Sequence, residues 1–300
     1  MDMRFLIAGS SGFLGTRLSE QLTSRGHEVT PLVRRPAEAD EVTWDPYRKP
    51  LDPAVVDQHD VVVNVAGSPT VGNPHSKKWA DNLMDSRVTT TQVLAEAIAA
   101  SDRQPTFLAG NAIGIYGDHG SQPVTEMADS RGDALLTRVS RAWQAATEPA
   151  RVAGARVCVL HTAPIHDRRS EPLRVLSLLF KAGLGGPIGD GSQHVPMISA
   201  RDWVDAVIHL AETDSARGSF NLCCERAPTN EELTRELARL VHRPAFCRVP
   251  AFVVRRAAGA MSNEVLGSVN CLPARLQESG YSFADPDVRA VLREGLDPSR

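Results

Sequence analysis

Short apolar runs alternate along the chain with longer stretches whose apolar residues recur at helical spacing. Arg4 to Ala8, Glu28 to Val33 and Asp60 to Ala66 have the length and residue types of strands, whereas Leu14 to Ser24 and Ser86 to Ala100 carry the helical period. Alternation of this kind predicts βαβ units assembled into a parallel sheet. Phe5-Leu6-Ile7-Ala8 and Val61-Val62-Val63-Asn64-Val65 are almost continuously apolar, as central strands covered by helices on both faces must be. Further strands are predicted at Thr106 to Ala109, Arg156 to Leu160 and Ser219 to Cys223.

The regularity loosens after about Pro164, where glycine and proline punctuate Gly183-Leu-Gly-Gly-Pro187 and Gly189-Asp-Gly191. Arg201 to Ala211 then reads as a helix returning to the main unit. Thr229 to Val241 reads as another, with Thr229 or Asn230 as its cap ahead of Glu231 and Glu232. From roughly Arg243 the chain reads as short helices. Residues 1–164 with about 200–225 therefore form the expected main domain, and about 165–199 with 226–300 a smaller lobe.

Composition narrows the function classes. A net charge of -3 over 300 residues and the lack of any basic stripe interleaved with aromatics argue against nucleic acid as a partner. The apolar run after Met1-Asp2-Met3-Arg4 is too short to span a bilayer and is followed by glycines rather than a cleavage site, so no membrane is expected and the cytoplasm is the expected compartment. Cys158, Cys223, Cys224, Cys247 and Cys271 form no C-x-x-C pair, and the histidines form no metal-ligand spacing, so neither a disulfide framework nor a metal is expected. The only lysines are Lys49, Lys77, Lys78 and Lys181.

Chemistry enters directly after the first strand, in Gly9-Ser10-Ser11-Gly12-Phe13-Leu14-Gly15. A G-x-x-G-x-x-G string that opens a helix lets the backbone turn tightly and approach a diphosphate, which the helix amides and dipole then attract. Its position between a buried strand and an amphipathic helix is the context that a dinucleotide site requires, and the fold class that follows is α/β, a doubly wound parallel Rossmann sheet with a smaller C-terminal lobe. The second strand ends in Arg34-Arg35, where an NAD-preferring protein carries an acid; a guanidinium fork there suits a ribose 2′-phosphate and favours NADP(H). Two solvated arginines at a strand end is the competing reading. Val65-Ala66-Gly67, at the end of the next strand, repeats the small-residue turn against which a cofactor can lie.

These elements together resemble the extended short-chain dehydrogenase/reductases, and more specifically their epimerase-like members labelled sugar-nucleotide epimerase or cell-division inhibitor homologues. The resemblance runs through Val63-Asn-Val-Ala-Gly-Ser-Pro69, Asp85-Ser-Arg-Val-Thr-Thr-Thr91, Ala112-Ile-Gly-Ile-Tyr-Gly-Asp118, Ala182 to Gly191 and Leu272 to Tyr281. It implies an NADP-binding domain with a small C-terminal lobe, and Arg87 on a helix near the cofactor phosphates or the substrate. An ion pair of Arg87 with Asp85 or Glu96 is the alternative.

The departures from that pattern bear on the reaction. The extended enzymes use a Tyr-x-x-x-Lys pair, in which the ammonium lowers the phenol pKa for proton exchange. None of Tyr47, Tyr116 and Tyr281 is followed by lysine four positions on, and the helix around Asp133 to Thr147 offers Thr137, Arg138, Ser140, Arg141 and Trp143 instead. Relatives carry Arg-Thr-Gly where His161-Thr-Ala163 stands, a second tyrosine in place of Ile115, and Trp-Ile-His in place of Met197-Ile-Ser199. The remaining candidates for acid, base or oxyanion donor are Asn111, Tyr116 and His161; the competing roles are a strand-end turn, packing and a satisfied core histidine. Three functions are consistent with this pattern: an NADP(H)-dependent oxidoreductase on a small-molecule substrate, a non-catalytic NADP(H) sensor or scaffold, and a sugar-nucleotide epimerase. A homodimer is left open.

Overall fold

A computed structural model describes residues 2–297; the last residues of the expected lobe, 298–300, lie outside them. The strands are β1 (Arg4–Ala8), β2 (Glu28–Val33), β3 (Val42–Thr43), β4 (Val61–Asn64), β5 (Thr106–Ala112), β6 (Pro123–Val124), β7 (Val157–Thr162), β8 (Gly218–Leu222) and β9 (Asn270–Cys271). The main helices are α1 (Phe13–Ser24), α2 (Pro53–Val56), α3 (Lys77–Ala100), α4 (Leu135–Ala145), α5 (Glu148–Val152), α6 (Glu171–Lys181), α7 (Ala200–Glu212) and α8 (Asn230–Leu240). They are followed by α9 (Ala251–Ala258), α10 (Ser262–Leu266), α11 (Ala274–Glu278) and α12 (Val288–Leu296).

Seven strands form one parallel sheet in the order β3-β2-β1-β4-β5-β7-β8. The chain winds outward from β1 through β2 to β3, then returns to the centre and winds the other way from β4. That reversal opens a crevice between the carboxyl ends of β1 and β4, the place where such sheets hold ligands. Alternate residues of the central strands feed two cores. Phe5, Ile7, Val61, Val63, Leu108 and Leu160 pack under Leu18 and Leu22 of α1 and Trp203 and Val207 of α7. Leu6, Val62, Phe107 and Val159 pack under Leu94 and Ile98 of α3 and Ala150. Burial on both faces is the reason these strands read as unbroken apolar runs.

Three elements differ from the sequence reading in a telling way. Helix α3 begins at Lys77, nine residues before the periodic stretch, with Ser76 accepting a hydrogen bond from the Trp79 amide. Its first turns pack Trp79, Ala80, Leu83 and Met84 on Leu135, Leu136 and Val139 of α4; these four positions do carry the helical spacing, but over little more than one turn and among polar neighbours. The two-residue strands β6 and β9 pair with each other in parallel across the chain, and strands that short carry no alternation to detect.

Segments 165–199 and 223–297 contribute no strand to the main sheet. Thr229 opens α8 with a reciprocal capping box to Glu232. The chain end is fastened to α7 by Asp202, whose carboxylate accepts from the amides of Ala284 (2.9 Å) and Asp285 (2.7 Å) and from the Tyr281 hydroxyl (2.9 Å). No helix among the described residues is long and apolar enough to cross a membrane.

Candidate functional site

The glycine turn is built so tightly that two of its residues admit no side chain. Gly9 has φ +87°, and a Cβ there would lie 2.7 Å from the Ala66 amide nitrogen. A Cβ on Gly15 would lie 2.1 Å from the Gly9 carbonyl oxygen. Gly12 caps α1 without a side-chain hydrogen bond, so the first-turn amides, from Phe13 and Leu14 onward, have no side-chain acceptor and point into the crevice. Ser10 and Ser11 form the outer edge of the turn, where the Ser10 carbonyl accepts from the Thr16 hydroxyl at 3.1 Å. The fold thus stacks Gly9 on Val65 and Ala66, uniting two segments that are far apart in sequence.

Asn64 holds the second turn. Its Oδ1 accepts from the Ala66 amide (3.0 Å) while its Nδ2 donates to Thr91 Oγ1 (2.9 Å), which also accepts from the Trp143 indole N–H (2.8 Å). Asn64, Thr91 and Trp143 are all buried. Gly67 follows, and a Cβ on it would sit 3.3 Å from Arg87 Cζ. The Arg87 guanidinium stacks over the Trp143 ring, 5.2 Å from its centroid, and donates to the Leu83 carbonyl at 3.1 Å. It forms no ion pair with Asp85 or Glu96; Glu96 accepts instead from Gln92 at 2.9 Å. Desolvation without a counter-charge pushes the Arg87 pKa down to about 10.

The two arginines at the end of β2 have different surroundings. Arg35 grips Glu41 through both Nη atoms, at 2.6 and 2.7 Å, in a two-pronged pair that closes the loop between β2 and β3. Arg34 is exposed and forms no ion pair among the described residues. Of the pair, Arg34 has the donors to spare for an incoming phosphate.

The glycine loop also meets the smaller lobe. The guanidinium groups of Arg17 and Arg169 both approach the ring of Phe13, at 5.2 and 5.8 Å from its centroid. Both cations bond to the buried carboxylate of Asp167. Arg17 and Asp167 are 150 positions apart, so nothing local in the sequence announces this clamp.

Asn111, His161 and Asn221 stand side by side on β5, β7 and β8. Asn111 Nδ2 donates to the Ser140 carbonyl (3.1 Å), and its Oδ1 accepts from the Ala112 amide (2.7 Å). One of its two N–H donors therefore ties α4 to the sheet, while its oxygen is occupied by its own strand. Tyr116 and His161 come together, with the hydroxyl 2.9 Å from Nδ1 and donating to Asn221 Oδ1 at 2.6 Å. Asn221 Nδ2 donates to the Leu272 carbonyl, which fixes the direction of the chain. The atom of Gln144 that faces His161 Nε2, at 2.9 Å, is the amide oxygen Oε1, so Nε2–H donates to it, and in the neutral ring Nδ1 is the acceptor that shares the Tyr116 hydroxyl proton with Asn221 Oδ1. Burial pushes the His161 pKa down to about 4 and the Tyr116 pKa well above its ordinary value. Both are neutral at physiological pH, and only 2% of Tyr116 and 3% of His161 are exposed.

The profile of the NAD dependent epimerase/dehydratase family matches residues 5–223. The chain belongs to that family. A second profile, a domain of unknown function called DUF1731, matches residues 249–294. Epimerase family protein ML0860 of Mycobacterium leprae is 35% identical over 288 residues, which are 95% of this chain and 93% of that protein. The crystal structure of human epimerase family protein SDR39U1 (isoform 2) with NADPH superposes with a TM-score of 0.87 at 27% identity, covering 98% of this chain and 99% of the human one. The nucleoside-diphosphate sugar epimerase from Corynebacterium glutamicum superposes with a TM-score of 0.82 at 29% identity, covering 99% of this chain and 58% of that one.

Within this epimerase/dehydratase frame, α4 is the helix expected to carry the tyrosine and lysine of the extended enzymes. Its Thr137 is fully buried and its Oγ1 has no hydrogen-bond partner. Arg141 turns back to the carbonyls of Ser130 (3.2 Å) and Gly132 (2.7 Å), and Trp143 is committed to Thr91 and Arg87. No phenol or ammonium projects from this helix. Gln144 and Asn221, which complete the Tyr116 and His161 network, were not singled out from the sequence, because an uncharged amide inside a helix or strand carries no motif.

Proposed function

We propose that this family member binds NADP(H) in the crevice between β1 and β4 and acts as an atypical oxidoreductase on a small molecule held between the sheet and the smaller lobe. The reading takes residues 1–164 with about 200–225 as the nucleotide-binding unit, and about 165–199 with 226–300 as the lobe facing the substrate. The observation that carries it is the cradle formed by Gly9 and Gly15, whose missing Cβ atoms leave the uncapped first-turn amides of α1 open to a diphosphate. SDR39U1, crystallised with NADPH, supports the same cofactor here.

In this reading Ser10, Ser11, Gly12, Phe13 and Leu14 surround the diphosphate through backbone and hydroxyl donors. Arg34 takes the 2′-phosphate, and Arg35 shapes its loop through Glu41. Val65, Ala66 and Gly67 form the floor on the β4 side. When bound, the cofactor supplies a hydride donor or acceptor. The protein's own part is to bind, orient and exclude water. Asn111 holds α4 in place, and Tyr116 and His161 stay neutral in the interior, so the proton that accompanies hydride comes from the substrate or solvent.

The buried, neutral Tyr116 and His161 also favour a second reading, in which the chain senses the redox state of NADP(H) without turning anything over. Calorimetry with NADPH, NADP⁺ and NADH, followed by NADPH absorbance over a metabolite library, tests both. Binding with preference for the phosphorylated cofactors and substrate-dependent loss of absorbance are expected. Tight binding with no turnover, and with partner affinity that differs between NADPH and NADP⁺, moves the assignment to the sensor; no binding removes both.

A further inference from the structure

Arg87 is a half-buried cation that the fold leaves without a counter-ion. Of its five N–H donors, one meets the Leu83 carbonyl, and the described residues supply no carboxylate to the rest. Burial strips the guanidinium of water with no opposite charge to compensate. An isolated guanidinium taken from water is costly unless something pays it back, and the surroundings are arranged to hold it rather than to neutralise it. Trp143 supports one face of the plane. Trp143 is in turn locked by Thr91, and the Thr91 hydroxyl is locked by Asn64. At Gly67 the absent side chain leaves the guanidinium bordering the crevice.

Its place in the sheet separates this cation from the two anionic parts of the cofactor. The strand order runs β2-β1-β4-β5. Arg34 stands at the end of β2, and the amides of α1 follow β1. Arg87 lies on the opposite side of β1 from Arg34, against Gly67 after β4 and the α4 helix that covers β5. A dinucleotide that places its 2′-phosphate at Arg34 and its diphosphate over α1 directs its nicotinamide toward Arg87, and that half carries no further negative charge.

From this geometry we infer that Arg87 receives an anionic group of the substrate, a carboxylate or phosphate, beside the nicotinamide end of the crevice. The inference rests on the NADP(H) reading above and names the substrate class for the same site. The planar fork, already oriented by Trp143, matches a two-oxygen acceptor. The substrate's charge would complete the ion pair that the polypeptide lacks, so an anion and the oxidised or reduced cofactor would occupy the crevice together.

The test is calorimetric titration of the NADP⁺-saturated protein with malonate, inorganic phosphate and neutral malonamide, repeated with Arg87→Met and Arg87→Lys. Malonate or phosphate is expected to bind the wild-type holoprotein while malonamide does not. Arg87→Met should weaken that binding by about tenfold or more, as loss of a charged two-pronged contact does, and Arg87→Lys should fall between, because charge is kept and the fork is lost. NADP⁺ affinity, measured separately, should stay within about threefold in both variants; the lysine variant guards against a folding defect in the methionine one. The inference is overturned if neither anion binds the wild-type holoprotein more tightly than Arg87→Met, or if both variants lose NADP⁺ affinity about tenfold while anion binding is unchanged, which would make Arg87 a cofactor residue. Failure of the wild-type protein to bind NADP⁺ at all is a separate result and counts against the cofactor reading.

Discussion

Lowering the pH should unfold this protein through two buried histidines. His161 and His166 both have pKa values pushed down to about 4 by burial, whereas an unfolded histidine takes its proton near pH 6.5. Between those limits the unfolded chain binds more protons than the folded one, so stability is fully present above about pH 6.5 and is lost as pH falls toward 4. Below that the folded form is protonated too, and the loss levels off. At roughly 1.4 kcal/mol per pH unit of displacement, each histidine removes about 3 kcal/mol by pH 4, and about 2 kcal/mol between pH 7 and 5. Two such groups would consume much of the roughly 5–15 kcal/mol that a domain has. The buried carboxyls of Glu126, Asp202, Glu264 and Glu294 have pKa values raised by burial and act with the opposite sign, losing stability as pH rises through those values. The histidine part is therefore isolated by difference: urea unfolding of wild type, His161→Gln and His166→Gln at pH 7, 6 and 5. Each variant should start less stable at pH 7 but show a shallower decline. Parallel declines for wild type and both variants would refute the reasoning, since the lost protons would then belong to other groups.

Arg34→Ala should lower NADPH affinity by about tenfold or more while leaving NADH affinity nearly unchanged, and Arg35→Ala should change the NADPH to NADH ratio much less, because Arg35 is spent on Glu41; calorimetry with both cofactors checks the pair. Gly15→Ala should abolish cofactor binding and cost about 2–3 kcal/mol of stability, since its Cβ would fall 2.1 Å from the Gly9 carbonyl oxygen and α1 must shift away; chemical denaturation read alongside NADPH titration shows both effects. Tyr116→Phe should cost about 1–3 kcal/mol by stranding His161 Nδ1 and Asn221 Oδ1 in the interior, without altering NADPH affinity; a fall in cofactor affinity equal to the fall in stability would place the phenol in the crevice after all.

Much of the scaffold was legible because its causes are local. The central strands announce themselves by double-sided burial, and the first turn by glycines that the backbone cannot replace. Thr229 with Glu232 marks a helix start within four residues. What escaped depends on contacts between distant segments. The apolar spacing between Lys77 and Asp85 is brief and gains its partner only from α4, and the clamp on Phe13 joins Arg17 to Asp167, 150 positions apart. The Arg34 and Arg35 pair is instructive because the information was nearby: Glu41 is six residues on, but only the geometry of a loop shows which of two adjacent arginines it captures.

The candidate acid and base were legible as residue types, but their role was not. Tyr116 and His161 have the chemistry of a proton relay, and the sheet register brings His161 into line with Asn111 and Asn221. Reactivity, however, depends on where the relay ends. One terminus is the backbone carbonyl of Leu272 and the other is the side-chain amide oxygen of Gln144, and each can accept a hydrogen bond but cannot take a proton near neutral pH. Every member between them is held in its neutral form by burial. A chain of hydrogen bonds closed at both ends by amides orients its members and binds strands β5, β7 and β8 to α4, but it has no charged state to pass to a ligand. Under the proposed NADP(H) site the charge offered to a ligand is instead cationic, at Arg34 and Arg87, and the selectivity that this proposal predicts is for anions.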